Sequence, residues 1–164
     1  RLYCATRSQE GIPTDFNPVS EDDVRKVIKS SPSKSCRLDP APTWLIKKCL
    51  DVQLPFITKL VNSSLSSGIV PSIFKTSHVT PILKKPQLDP ENFANYRPIA
   101  NQMFLAKVLE RIVAIQLRAY LSDSGLFPEM QSAYREHHST ETALLKVYND
   151  ILIALDKGQE AILV

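Results

Sequence analysis

The chain has 164 residues, 43% of them hydrophobic and 23% charged, with a formal net charge of +3. This supplies one sizeable core, with a charged fraction close to that of an ordinary soluble domain. It contains no run near the ~20 apolar residues of a membrane helix, and no signal peptide.

Three cysteines, Cys4, Cys36 and Cys49, lack CxxC spacing. That argues against a disulfide framework or a zinc site, and for a reducing intracellular compartment, cytoplasm or nucleus. Residue 1 is Arg, the only methionines are Met103 and Met130, and the chain stops in Ala161-Ile162-Leu163-Val164. The sequence therefore reads as a piece of a larger protein.

Residues 1–19 are polar and aperiodic, an entry segment or linker. Ser20 is placed to cap a short amphipathic helix carrying Val24, Val27 and Ile28 and ending near Ser30, with Asp22 and Asp23 at its positive end. These first 30 residues are read as a linker with an extension helix. Pro32, Pro40 and Pro42 make residues 31–42 a loop. Thr43 is expected to cap a helix to about Leu50. A further helix from Pro55 to Ser67 carries Phe56, Ile57, Leu60, Val61 and Leu65, and Gly68 closes it.

The texture changes at Ser77. His78 to Leu83 is β-branched and apolar, a strand running into Lys84 and Lys85, which it presents to solvent or ligand. Asp89-Pro90-Glu91-Asn92 is turn chemistry, so residues 96–100 return as a second strand. Pro81 and Pro98 confine this hairpin to the periphery. A long helix follows, with Leu105, Val108, Leu109, Ile112, Val113, Leu117, Tyr120 and Leu121 on one stripe and Gly125 at its end. Ser139, with Thr142 three residues on, starts another helix that stops at Gly158. Ala161 to Val164 reads as the start of a buried strand. Helices predominate in an α+β arrangement.

Charge is uneven. Between Lys75 and Arg118 there are seven Lys/Arg (Lys75, Lys84, Lys85, Arg97, Lys107, Arg111, Arg118) against Asp89, Glu91 and Glu110. Such an excess fits phosphate contacts or an ordinary solvated face. Asn95-Tyr96-Arg97-Pro98-Ile99 and Gln131-Ser132-Ala133-Tyr134-Arg135 each set an arginine beside a structure-breaking or small residue, next to a long helix. Both present fixed cations where a polyanion could sit. The competing roles are structural. Arg97 could anchor the hairpin, and Lys84 and Lys85 could guard a strand edge against aggregation. Adjacent His137 and His138 lack a completing ligand set, Cys36 and Cys49 lack a nucleophile–base partner, and Asp39 suits an Asx-type bond to backbone. Asp150 and Asp156 face solvent by periodicity.

From about Ser31 to its last residue the chain resembles the N-terminal, fingers-side part of the reverse transcriptase domain of non-LTR (LINE-type) retrotransposons. The likeness rests on Ser33-Lys34-Ser35-Cys36 with Asp39-Pro40-Ala41-Pro42, on Asn62 to Gly68, and on Phe74-Lys75. It continues through Val79 to Lys85, Asn95 to Ile99, Lys107-Val108-Leu109-Glu110, and Gln131 to Thr140 with Glu141 to Leu144. The resemblance implies a partial reverse transcriptase domain over 31–164, the fingers and start of the palm of a right-hand polymerase, cut before the catalytic palm strand.

By the same likeness the partners are an RNA template, a DNA primer, a deoxynucleoside triphosphate and the remainder of the palm, with no membrane. Arg97 is the first residue expected on the triphosphate, because guanidinium binds phosphate oxygens bidentately. Lys84 and Lys85 follow as point charges on triphosphate or template, and Arg135 lies near the nucleotide pocket or template path. Ala133 departs from the family's Gly, which matters if the backbone there takes a positive φ. No catalytic or metal-binding residue is assigned, since the family's first aspartate falls beyond Val164. Mg²⁺ is thus expected in the full-length enzyme and not in these residues, and these residues alone are expected not to polymerise. The alternative is a degenerate, non-catalytic nucleic-acid-binding or interaction module.

Overall fold

The computed structural model describes residues 15–128 and 131–162. Cys4, Met130 and the last two positions of the expected terminal strand lie outside them. Two compact units are present, Arg1–Ser124 and Gly125–Val164. The described parts combine helices with one small antiparallel sheet, an α+β arrangement.

In the first unit, α1 (Glu21–Ser30) begins at a reciprocal cap. Ser20 Oγ accepts from the Asp23 N–H, while the Ser20 N–H and hydroxyl both donate to the Asp23 carboxylate. These bonds hold the Asp23 carboxyl below its ordinary range. Val24 and Ile28 are fully buried, so α1 packs on α3 and α4. The segment before it is docked by two side-chain amides. Asn62 accepts from the Val19 N–H and donates to the Val19 carbonyl (2.8 and 3.0 Å), and Gln116 does the same for Asn17 (2.9 and 2.8 Å).

The second helix, α2 (Thr43–Lys48), starts one residue earlier than a Thr43 cap would allow. Thr43 is the first helical residue and is fully buried, and Pro42 precedes it without a side-chain cap. Its backbone N–H donates to Ser35 Oγ and its hydroxyl donates to the Lys34 carbonyl (2.8 and 3.1 Å), so the side chain ties the loop down instead of capping the helix. Trp44 points outward, and Ile46 carries the burial.

The third helix, α3 (Leu50–Ser67), begins five residues before Pro55. At the sixth helical position Pro55 cannot donate to the Asp51 carbonyl one turn back, a loss that burial on the same helix offsets. Leu50 and Leu54 are both buried and draw the extra turn into the core, while Phe56 on the expected stripe is exposed. Gly68 ends the helix at φ 67°, the left-handed region that favours glycine.

One buried polar atom stands out here. Among the described residues the Thr58 hydroxyl on α3 has no hydrogen-bond partner, although the residue is only 8% exposed. Thr58→Val removes that unmade bond and keeps the shape. It is expected to stabilise the protein by about 1 kcal/mol in urea unfolding; a loss of stability would show that the hydroxyl is satisfied in solution.

After a single helical turn at Ser72–Lys75, which buries Phe74, strand β1 (Ser77–Leu83) pairs antiparallel with β2 (Tyr96–Gln102). Pro81 lies opposite Pro98, and most residues on both faces are solvent-exposed. The two strands form a two-stranded sheet, as the prolines require. Helix α4 (Phe104–Asp123) then returns to the core through Phe104, Ala106, Val108, Leu109 and Ile112.

In the second unit, α5 (Thr140–Asp156) starts at Ser139, whose cap is closed by Thr142. Its residues are all at least partly exposed. Lys146 and Asp150 pair across one turn at 3.0 Å. Ala161 and Ile162 are not in a strand, because neither finds a ladder partner.

Candidate functional site

The hairpin is built to project. The antiparallel register sets Ile82 against Arg97 and Thr80 against Ile99, which places Arg97 on the face shared by His78, Thr80, Ile82 and Ile99. Lys84 continues that face, and its N–H donates to the Asn95 carbonyl at 2.8 Å.

The wide connection between the strands is held by its own polar groups. Lys84 Nζ donates to the Ala94 carbonyl (2.8 Å), Asn95 Nδ2 to the Asp89 carbonyl (2.9 Å), and the Tyr96 hydroxyl to the Pro90 carbonyl (3.0 Å). Asn92 Oδ1 accepts from the Ala94 N–H at 3.0 Å. Three of the sequence-predicted residues, Lys84, Lys85 and Arg97, therefore sit on or beside one ordered arm. Arg97 and Lys85 are exposed, and among the described residues neither side chain has a hydrogen-bond or ion-pair partner. Lys84 is partly spent on the loop.

In the second unit Arg135 is engaged locally. Its guanidinium donates to the carbonyls of Pro128 and Gln131, both at 3.3 Å, and lies 5.3 Å from the Phe127 ring centroid. It staples its own loop with a cation–π contact added. Ala133 is not left-handed; the positive φ falls on Tyr134 and His137, both at 61°. A glycine is thus not required at Ala133, and the strain is carried one residue later by a Tyr that is 88% exposed. His138 Nδ1 lies 2.9 Å from the Glu136 carbonyl, and His137 only approaches Glu136 at 3.9 Å in open solvent.

The loop over residues 31–42 is the part that sequence spacing did not resolve. Asp39 does bond to backbone, but three residues back and not in Asx geometry: it accepts from the Cys36 N–H at 2.5 Å, and its second oxygen accepts from the Phe104 N–H at 2.6 Å. Met103 offers α4 no side-chain cap, so a carboxylate 65 residues away caps it. The Cys36 thiol, buried, donates to the Asn101 carbonyl at 3.2 Å. Lys107 donates to Asn101 Oδ1, and Arg111 to Ser31 Oγ at 2.9 Å. The signal available beforehand was the Lys107–Arg111 spacing of four on α4, which puts both on one face. Lys34 reaches the same neighbourhood only because the loop folds back.

Among the described residues no group of three or more His, Cys, Asp or Glu side chains is placed to hold a metal ion. No helix among them is long and apolar enough to cross a membrane.

No family model matches the chain. Comparison with curated proteins gives the RNA-directed DNA polymerase from mobile element jockey of Drosophila funebris, 29% identical over 157 residues, 95% of this chain and 17% of the relative. The probable RNA-directed DNA polymerases from transposon X-element and transposon BS of Drosophila melanogaster are each 28% identical, over 89% and 92% of the chain. The chain spans 16–17% of the length of these relatives. Across most of its own length it is a homologue of the RNA-directed DNA polymerases of Drosophila non-LTR mobile elements.

Proposed function

We propose that this chain is the fingers-side part of a reverse transcriptase, the region that grips template and incoming triphosphate. The observation that carries the reading is the exposed hairpin with the Arg97 and Lys85 side chains unpartnered among the described residues. A solvated arm of this kind holds its cations on or just beyond the strands without satisfying them internally. Arg97 offers a planar fork of donors to phosphate oxygens, and Lys85 adds a mobile point charge. Lys84 braces the loop and keeps two further N–H groups free for a phosphate.

Phosphoryl transfer is catalysed by positioning and by stabilisation of charge, in polymerases with metal ions at the reacting phosphorus. The described residues supply positioning and cationic contact. Partners under this reading are an RNA template, a DNA primer, a deoxynucleoside triphosphate and a palm that completes the site. Arg135, held by its own loop, contributes by shaping the chain around Tyr134.

The test is binding of the folded chain to an RNA template annealed to a DNA primer and leaving a single-stranded overhang, followed by fluorescence anisotropy across a salt series. Micromolar or tighter binding that weakens steeply with salt is expected. Absence of binding by a chain shown to be folded would overturn the proposal.

A further inference from the structure

A second set of cations lies away from the hairpin loop, where residues 31–34 fold against the first two turns of α4. A cavity of about 260 Å³ opens there, lined by Ser31, Pro32, Lys34, Phe104, Lys107 and Arg111. Half of the lining residues are cationic and none is acidic. Two of the three cations are held in place by neutral acceptors, Lys107 by Asn101 Oδ1 and Arg111 by Ser31 Oγ. The Lys34 residue is exposed, and its ammonium group has no partner among the described residues. The carboxylate that holds this loop to α4, Asp39, is occupied by the Cys36 and Phe104 N–H groups. Geometry is thus fixed while charge is left uncompensated, a preorganised anion site.

We infer that this cavity binds one phosphodiester of a single-stranded nucleic acid, with Lys34, Lys107 and Arg111 around the phosphate and the sugar against Pro32 and the edge of Phe104. The inference rests on the proposed function and adds a second point of grip, on residues not assigned there. Size selects the occupant. The volume is below the roughly 300 Å³ at which pockets begin to enclose a whole drug-sized ligand, so one unit of a chain passing over the site fits better than a complete nucleoside triphosphate. Apolar walls beneath three cations suit a sugar–phosphate unit and would be wasted on a bare inorganic ion.

The experiment uses the full chain and a fluorescently labelled 12-nucleotide oligo(U), with anisotropy read from about 50 to 300 mM salt. Each single-strand phosphate contact contributes about 0.7 to the slope of log K against log salt. Lys34→Gln with Arg111→Gln should lower the slope by about 1.4 and weaken binding about twentyfold at 0.1 M salt. The charge-keeping pair Lys34→Arg with Arg111→Lys should retain the wild-type slope, which separates charge from any disturbance of Ser31. An unchanged slope in the neutral pair, with the wild type still binding oligo(U), overturns this inference and leaves the proposed function standing. No oligo(U) binding by the wild-type chain overturns both. Displacement of the oligonucleotide by free UTP at equal phosphate concentration in the wild type, but not in the neutral pair, would assign the cavity to a free nucleotide and overturn the phosphodiester assignment.

Discussion

Replacing Lys84, Lys85 and Arg97 together by glutamine is expected to weaken binding of a primed RNA template about a hundredfold at 0.1 M salt. Counterion release sets the size of the loss. One single-strand phosphate contact changes log K by about 0.7 for each decade of salt, so relative to 1 M it contributes about fivefold at 0.1 M. Three contacts multiply to about a hundredfold, and the slope falls by about 2. Arg97→Gln alone should account for at least a fivefold loss, because its fork forms two bonds where lysine forms one.

The fold should survive the triple change. Both hairpin faces are largely exposed, and the strand ladder is made by backbone groups. Lys84 is the one partial exception, since its Nζ ties the loop to the Ala94 carbonyl. Lys84→Gln retains an amide donor of shorter reach at that point. Equal slopes for the triple variant and the wild type would show that nucleic acid does not follow the hairpin, whatever the affinity.

The elements that sequence reveals here are those specified by neighbours in the chain. Ser20 with Asp23, Ser139 with Thr142, and the Val24, Val27 and Ile28 stripe are local patterns, and the helices start where they say. The hairpin is likewise local. Its strands flank turn residues, and the prolines at 81 and 98 leave only a peripheral place for it. Thr43 misleads because a hydroxyl before a helical stripe has two uses, and only the folded loop decides for the Lys34 carbonyl over the cap. Pro55 misleads in the same way, since burial of Leu50 and Leu54 outweighs the preference for proline at the first helical position. In the candidate site, Arg97, Lys84 and Lys85 are legible because one hairpin carries them all. Lys34 is not, because its distance in sequence from Lys107 and Arg111 is closed by a loop whose path depends on Asp39.

That dependence makes Asp39→Ala the substitution with the largest expected effect on stability, a loss of about 3 kcal/mol. The carboxylate accepts two backbone N–H groups, one in the loop and one in the first turn of α4. Bonds to a charged acceptor contribute about 1.5–3 kcal/mol each, and a part-buried N–H left unpaired adds a desolvation cost on the same scale. Water reaching the rim of the loop recovers some of this, which sets the total nearer to one bond's upper value than to the sum of two. Asp39→Asn keeps one carbonyl oxygen and turns an NH2 group toward the other N–H, so it should lose about half as much.

Urea unfolding measures both, with an unchanged m-value expected if the native state stays compact. Stability within about 0.5 kcal/mol of wild type for Asp39→Ala would mean that water replaces the carboxylate at both N–H groups. The same variant links stability to the basic cavity. Once the loop is released from α4, Ser31 and Lys34 no longer face Lys107 and Arg111 at a fixed distance. Oligo(U) affinity should then fall although no cation has been removed.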